Sequence, residues 1–239
     1  MRIALIADVH SNLPALEAVV ADARAAGAEQ VFCAGDVVGF GPSARAVVEQ
    51  VRTLCQVVVR GNHDEALAEG ADSRCLPALA SLAKAAEALA RAQLQAADMA
   101  WLRRLPLEEG LYLGGTEVYM VHGSPSDPLY EGVSADTDTE HLRREFMTID
   151  SDYAILGHTH RQMALPGVLP RANIINPGSV GFPTDGDPRA AYTVLDTKTG
   201  GIIPRRVDYD VRRAIDDASA LPARERALYA RILTRGSLK

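Results

Sequence analysis

Five times along this chain a short apolar run stops abruptly at a residue that can hold a metal ion or a proton. Ile3–Ala7 ends in Asp8-Val-His10, Val31–Ala34 in Gly35-Asp36, and Gln56–Val59 leads through Arg60 into Gly61-Asn62-His63-Asp64. Glu117–Val121 ends in His122-Gly123, and Tyr153–Leu156 in Gly157-His158-Thr159-His160. Short apolar runs bounded by turn residues read as buried strands. Between the first three lie two helical patterns. Leu13–Ala26 carries Leu13, Leu16, Val19, Val20 and Ala23 at helical spacing, with Pro14 and Glu17 in its first turn and Gly27 as a stop. Ala44–Leu54 is the second. Strand–helix–strand–helix–strand order implies parallel pairing through right-handed crossovers. The polar clusters then gather at the carboxyl ends of the strands, where open α/β sheets bind ligands.

The second half changes character. Leu107–Leu113 and Glu117–Val121 flank Gly114-Gly115 and read as a hairpin. Asp136–Met147 reads as helix, and strands are expected at 163–165, 173–175, 191–196 and 202–207. Pro77–Ala100 is rich in Ala and Leu and is expected to be one helix, packing on the sheet or covering one end of it. The tail from Asp210 is amphipathic and helical. Two such halves face to face make an α/β two-sheet sandwich covered by helices. A length of 239 residues suits one domain, residues 1–239, able to bury about three-quarters of its unfolded surface without staples.

Composition enters mainly to exclude. Cys33, Cys55 and Cys75 match neither a zinc spacing nor a secreted disulfide framework. With 31 acidic against 25 basic residues, the chain is not built to grip duplex nucleic acid by neutralising phosphates. The first apolar run is too short for a signal peptide, and no stretch is long enough to span a bilayer. The expectation is a cytoplasmic protein without a membrane partner. Assembly into a homo-oligomer is left open.

The ligand types narrow the chemistry. Imidazoles mixed with carboxylates and an amide suit first-row divalent metals, with Mn2+ the first choice and Fe, Zn, Ni or Mg as alternatives. Seven candidates (Asp8, His10, Asp36, Asn62, His122, His158 and His160) are too many for one ion and fit two that share a carboxylate. Asp36, between two clusters, is the natural bridge. His141, in a plain helical context, is expected to be a solvated surface residue. Gly35-x-x-x-Gly39-x-Gly41 matches neither dinucleotide nor P-loop spacing.

Taken in order, Asp8-x-His10, Gly35-Asp36, Gly61-Asn62-His63-Asp64, His122-Gly123 and Gly157-His158-x-His160 resemble the calcineurin-like metallophosphoesterase superfamily. The later Asn176-Pro-Gly-Ser179 is similar to its small bacterial and archaeal members. The resemblance implies a four-layer αββα sandwich of two mixed β-sheets flanked by helices. It implies one ion on Asp8, His10, Asp36 and His160, and a second on Asp36, Asn62, His122 and His158. It implies His63 as the general acid, with Asp64 orienting its ring. The activity implied is hydrolysis of phosphoesters by a metal-bridging hydroxide, with small phosphodiesters as first choice. A phosphomonoesterase or a protein serine/threonine phosphatase is the alternative, and a non-catalytic scaffold is the alternative of another class.

Several residues keep two readings. Asn12 either caps the first helix or touches substrate. Arg60 either contacts phosphate or serves an ordinary ion pair. Phe40 and Tyr130 either stack on a substrate or pack locally. Loops Val37–Ser43, Glu69–Pro77 and Ser124–Ser134 are expected to set specificity, but carry no readable code.

Overall fold

The computed structural model describes residues 1–238. In chain order the elements are β1 (Arg2–Ile6), α1 (Leu13–Ala25), β2 (Gln30–Cys33), α2 (Ala44–Leu54), β3 (Val57–Val58) and α3 (Asn62–Glu69). After a 3-10 turn at Pro77–Leu79 come α4 (Ala80–Gln93), α5 (Ala96–Arg104), β4 (Glu108–Tyr112), β5 (Glu117–Val121) and α6 (Thr139–Glu145). Then follow β6 (Tyr153–Ile155), β7 (Met163–Leu165), β8 (Asn173–Asn176), β9 (Ala190–Asp196), β10 (Gly201–Val207), α7 (Val211–Asp217) and α8 (Ala223–Arg235).

The strands form two five-stranded sheets, ordered β10-β9-β1-β2-β3 and β4-β5-β6-β8-β7. Both are mixed. In the first, β1, β2 and β3 run parallel, with Ile3 opposite Gln30 and Ile6 opposite Cys33, while β9 runs antiparallel to β1 and β10. In the second, β5, β6 and β8 are parallel, and β4 and β7 close the edges antiparallel.

The period of two along each strand sorts its residues between layers. Ile3, Leu5 and Ala7 point between the sheets, where they meet Val118, Met120, Tyr153, Ile155 and Ile175. Ala4 and Ile6 point the other way, onto Leu16 and Val19 of α1 and Val47, Val48 and Val51 of α2. Outside the second sheet, Tyr119, Val121, Ala154 and Ile174 pack with Leu142 and Phe146 around α6. This is the expected αββα order. Burying an Ile or Leu side chain stabilises by about 1.5–3 kcal/mol. A charge at Leu5, in the middle layer, would therefore break the sandwich.

Three expectations need correcting. Residues 77–100 are not one helix: the chain breaks at Leu94-Gln95, where the Gln95 N–H donates to Asp98 Oδ2 at 3.0 Å and starts α5. The 136–147 helix shortens to α6 because Asp138 caps it, accepting from the His141 N–H at 2.9 Å. The strand expected at 191–196 starts one residue earlier, as β9, and lies inside the first sheet with β10 as the edge. Among the described residues, no helix is long and apolar enough to cross a membrane.

Candidate metal centre

The parallel strands deliver their terminal loops to one edge, and backbone bonds lock those loops together. The Asp8, His10 and Ser11 N–H groups donate to the carbonyls of Gly35, Asp36 and Val37, each at 3.0 Å. Ser179 Oγ donates to the Asp8 carbonyl at 2.8 Å, and Asn176 Nδ2 to the Gly157 carbonyl at 2.6 Å. The Asn176–Ser179 turn thus ties the 157–160 loop to the end of β1. Asp8, His10, Asp36, His158 and His160 all take left-handed backbone, with φ between 46° and 67°. Such conformations cost on the order of 1–3 kcal/mol each in non-glycine residues and cluster at functional sites. Gly61 is required by space: a Cβ there would sit 2.1 Å from Asp36 Oδ1.

The seven candidate ligands converge. Asp36 lies centrally, its Oδ2 3.6 Å from His10 Nε2 and 3.5 Å from His122 Nε2. On one side His10 Nε2 and His160 Nε2 are 2.9 Å apart, and His160 Nε2 is 3.7 Å from Asp8 Oδ1. Ligand atoms of Asp8, His10, Asp36 and His160 all lie within 4.8 Å of one another. On the other side Asn62 Oδ1 is 3.0 Å from both His122 Nε2 and His158 Nδ1. The far nitrogens are anchored: His122 Nδ1 donates to the Ala34 carbonyl at 2.7 Å and His160 Nδ1 to the Phe182 carbonyl at 2.6 Å. Those bonds aim both Nε2 atoms inward, an outer-shell arrangement typical of metal-ligating histidines.

The electrostatics suit a cation. Burial lowers the pKa of His10 strongly, that of His158 to about 3 and that of His160 to about 4, so these rings are neutral and have lone pairs to offer. Burial opposes charge on His122 too, but the Asp36 carboxylate outweighs it and raises its pKa to about 9. Burial would likewise raise Asp36, yet His122 and His63 hold it well below the carboxylate range. Buried Asp8 Oδ2 has no hydrogen-bond partner among the described residues. Burial raises the Asp8 pKa, and a divalent ion would both offset that cost and give the unpartnered oxygen a partner within a cluster that includes His10 and His160.

His63 and Asp64 fall differently from expectation. They sit in the first turn of α3, which starts at Asn62. The His63 N–H donates to Asp36 Oδ1 at 2.8 Å, and its ring packs edge-on against Phe40 at 4.5 Å, lining the cleft above the ligands. Asp64 does not orient that ring. Its carboxylate accepts from the backbone N–H groups of Gly61 and Val38 at 3.0 Å and Val37 at 3.3 Å. Asp64 therefore caps α3 and pins the loop after Asp36. An acid three residues beyond a glycine is the cap signal that marks this helix.

Asn12, Arg60 and Phe40 each have structural partners. Asn12 is fully buried: its Oδ1 caps α1 through the Ala15 N–H at 3.2 Å, and its Nδ2 donates to the Gly181 carbonyl at 2.9 Å. Its Nδ2 also reaches the Tyr209 hydroxyl at 3.4 Å. Arg60 pairs with Glu65 at 2.6 Å and donates to the carbonyls of Leu105 and Arg103. Phe40 is buried in a stack with Phe182 at 4.3 Å, which continues to Tyr229 of α8. His141 is only half-exposed and meets Glu131 at 2.7 Å. A cavity of about 270 Å³ opens over the centre, lined by Asp36, Asn62, His63, His158 and His160 and also by Arg74, Leu76 and Thr184. The last three lie in irregular segments, where no periodicity marks them.

A model of the calcineurin-like phosphoesterase superfamily domain matches residues 1–200. An uncharacterised protein of Methanocaldococcus jannaschii is 31% identical over 228 residues, covering 90% of each chain. Among solved structures, a metallophosphoesterase from Sphaerobacter thermophilus is 33% identical over 99% of both chains, with a TM-score of 0.78. A hypothetical protein from Pyrococcus horikoshii OT3 shares the fold at a TM-score of 0.83, with 22% identity over 100% of this chain and 99% of that one.

Proposed function

The chain belongs to the calcineurin-like phosphoesterase superfamily, metallophosphoesterases that use divalent metals, and from that membership we propose that it hydrolyses small phosphodiesters at a two-ion centre. The observation that carries this reading is Asp36, whose Oδ2 lies within 3.6 Å of His10 on one side and 3.5 Å of His122 on the other. Asp8, His10, Asp36 and His160 would hold one ion; Asp36, Asn62, His122 and His158 would hold the second. Such a pair, Mn2+ first among the candidates, supplies Lewis acidity to a phosphoryl oxygen and lowers the pKa of water to about 7.

The remaining work belongs to the chain. Backbone bonds between the loops fix the ligand set before substrate arrives. His63, in the wall of the cleft, holds a proton for the departing oxygen. The modest volume of the cleft, about 270 Å³, supports a small substrate over a phosphorylated protein surface. The whole chain is read as one domain, since α8 packs Tyr229, Ile232 and Leu233 with Phe182 and Phe40 behind His10.

The test is a panel of phosphate mono- and diesters, such as p-nitrophenyl phosphate and bis(p-nitrophenyl) phosphate, with protein loaded with Mn2+. The expected result is metal-dependent turnover that favours the diester. Turnover of monoesters alone would move the assignment to a phosphomonoesterase. Stoichiometric metal with no turnover of any ester would identify a binding scaffold.

A further inference from the structure

Outside the ligand loops, which hold Asp8, His10, Ser11, Asp36, His158 and His160, Arg74 is the one described non-glycine residue in left-handed backbone, with φ 50°. It too faces the cleft, from the loop that follows α3. Its guanidinium lies over the ring of Tyr130, 4.0 Å from the centroid, and Tyr130 comes from a different loop, the one that follows β5. Among the described residues no carboxylate lies within 4.0 Å of that guanidinium, and its side chain makes no hydrogen bond. The nearest acid in sequence, Asp72, is committed: its Oδ1 accepts the backbone N–H of Arg74 at 2.8 Å.

Stacking on an aromatic ring uses the face of a guanidinium and leaves the N–H fork at its edge free. A planar fork with two parallel donors is matched to the oxygens of a phosphate. Beside it stands Leu76, a large apolar side chain 57% exposed at the mouth of the cleft, with Leu79 beneath it. One cavity therefore joins the ligand cluster, a guanidinium stacked on Tyr130 with no carboxylate partner among the described residues, and an apolar shelf.

We propose that Arg74 is a substrate-binding residue that pairs with a second phosphate, adjacent to the one at the ion centre, so that the substrates taken best are phosphoesters of the nucleoside diphosphate class. The organic group of such a substrate rests on Leu76. This inference rests on the two-ion reading of the centre, but not on the centre being hydrolytic.

Calorimetry on Mn2+-loaded protein, freed of excess metal, separates the two. The probes are nonhydrolysable analogues of AMP and ADP, which differ by one phosphate. The diphosphate analogue should bind the wild-type protein about tenfold more tightly or better, the scale of one charge-assisted pair. Arg74→Ala should bring the diphosphate to the affinity of the monophosphate, leaving the latter within about twofold. Arg74→Lys should keep part of the preference. Tyr130→Leu, which removes the support but not the charge, should weaken the preference without changing metal content, and it serves if Arg74→Ala does not fold. No preference in the wild type, or a preference that survives Arg74→Ala, overturns the proposal. Equal weakening of both probes also overturns it, since Arg74 would then serve the phosphate on the ions. Turnover of bis(p-nitrophenyl) phosphate is scored separately. Binding through Arg74 without turnover would sink hydrolysis and keep the clamp; turnover without the preference would do the reverse.

Discussion

The Nε2 atoms of His10 and His160, both buried side chains, face each other at 2.9 Å. His160 Nδ1 donates to the Phe182 carbonyl, so its Nε2 presents a lone pair toward His10. Burial lowers the pKa of both rings, so the pair does not hold an extra proton at neutral pH. Two imidazoles brought this close, with Asp8 Oδ2 unpartnered nearby, are arranged for a shared cation.

Metal removal is the first consequence. Protein loaded with Mn2+ and desalted should carry two ions per chain by elemental analysis. Chelation should abolish ester hydrolysis, and Mn2+ should restore it. Free metal at a hundred times Kd should also stabilise the fold by about 2.7 kcal/mol, read as a rise in Tm. Full activity at one ion per chain would defeat the two-ion assignment.

Asp36 should be the least replaceable ligand, because one carboxylate stands between both histidine sets. Asp36→Asn is expected to lower occupancy at both positions, whereas His160→Ala should weaken mainly one. Outer contacts to a ligand typically matter 10–100-fold in affinity, and a shared ligand should exceed that. Loss of the same single ion in both variants would exclude the bridge.

The candidate ligands could be found in sequence because each follows an apolar strand; β1, β2 and β3 of the first sheet and β5 and β6 of the second bring their carboxyl ends to one cleft. Asp64 shows where that logic stops. The resemblance implies a partner for His63, but its carboxylate accepts from the N–H groups of Gly61, Val37 and Val38, where α3 packs against the loop after β2. The break before α5 was hidden for a related reason. Leu94-Gln95 carries no glycine or proline, and Arg52 of α2 holds Asp98 from outside the segment at 3.3 Å. By contrast β9, Ala190–Asp196, is buried along its whole length. Its apolar run was visible, but its place inside the sheet depends on β10 pairing beyond it. Arg74 had no pattern to mark it, since its meaning comes from a tyrosine on another loop.

Asp64→Ala should cost stability even without metal. It leaves three buried backbone N–H groups without their acceptor, each worth about 1–3 kcal/mol. A loss of about 3 kcal/mol or more is expected in urea unfolding of the metal-free protein. Asp64→Asn, which keeps one acceptor oxygen, should lose less. A change below about 0.5 kcal/mol, the level of an ordinary surface substitution, would rule out the pinning role.

The metal-free protein should lose stability on the alkaline side. Burial works against the charge of His122, but Asp36 holds its folded pKa at about 9, above the ordinary 6.5. A raised histidine contributes fully below about pH 6.5 and is lost as pH rises through about 9. Tm of the metal-free protein should therefore fall across that window, and His122→Asn should flatten the fall. Metal binding at pH 8 should release this proton, seen as a dependence of binding enthalpy on the buffer. Identical alkaline slopes in wild type and His122→Asn would refute the assignment.

His63 carries the last prediction, because its place in the cleft wall suits proton donation rather than ligation. Its ring packs against Phe40 and His10, and its backbone N–H, not its ring, reaches Asp36. Burial lowers its pKa from 6.5, with Asp36 acting in the opposite direction. It is therefore neutral in most free molecules at pH 7 and is charged increasingly as pH falls. A nitrophenolate departs without a proton, whereas an alkyl or ribose oxygen needs one. General acid catalysis contributes typically 10²–10⁴-fold where it is needed. His63→Ala should keep both ions and most of its activity on nitrophenyl esters, while losing about 10²-fold or more on an alkyl or nucleoside ester. In the wild-type protein, kcat/KM for the alkyl ester relative to the nitrophenyl ester should decline as pH rises past the His63 pKa, and the variant should lack that decline. A variant that sheds metal, or slows both ester classes equally at full occupancy, would show that His63 is not the acid.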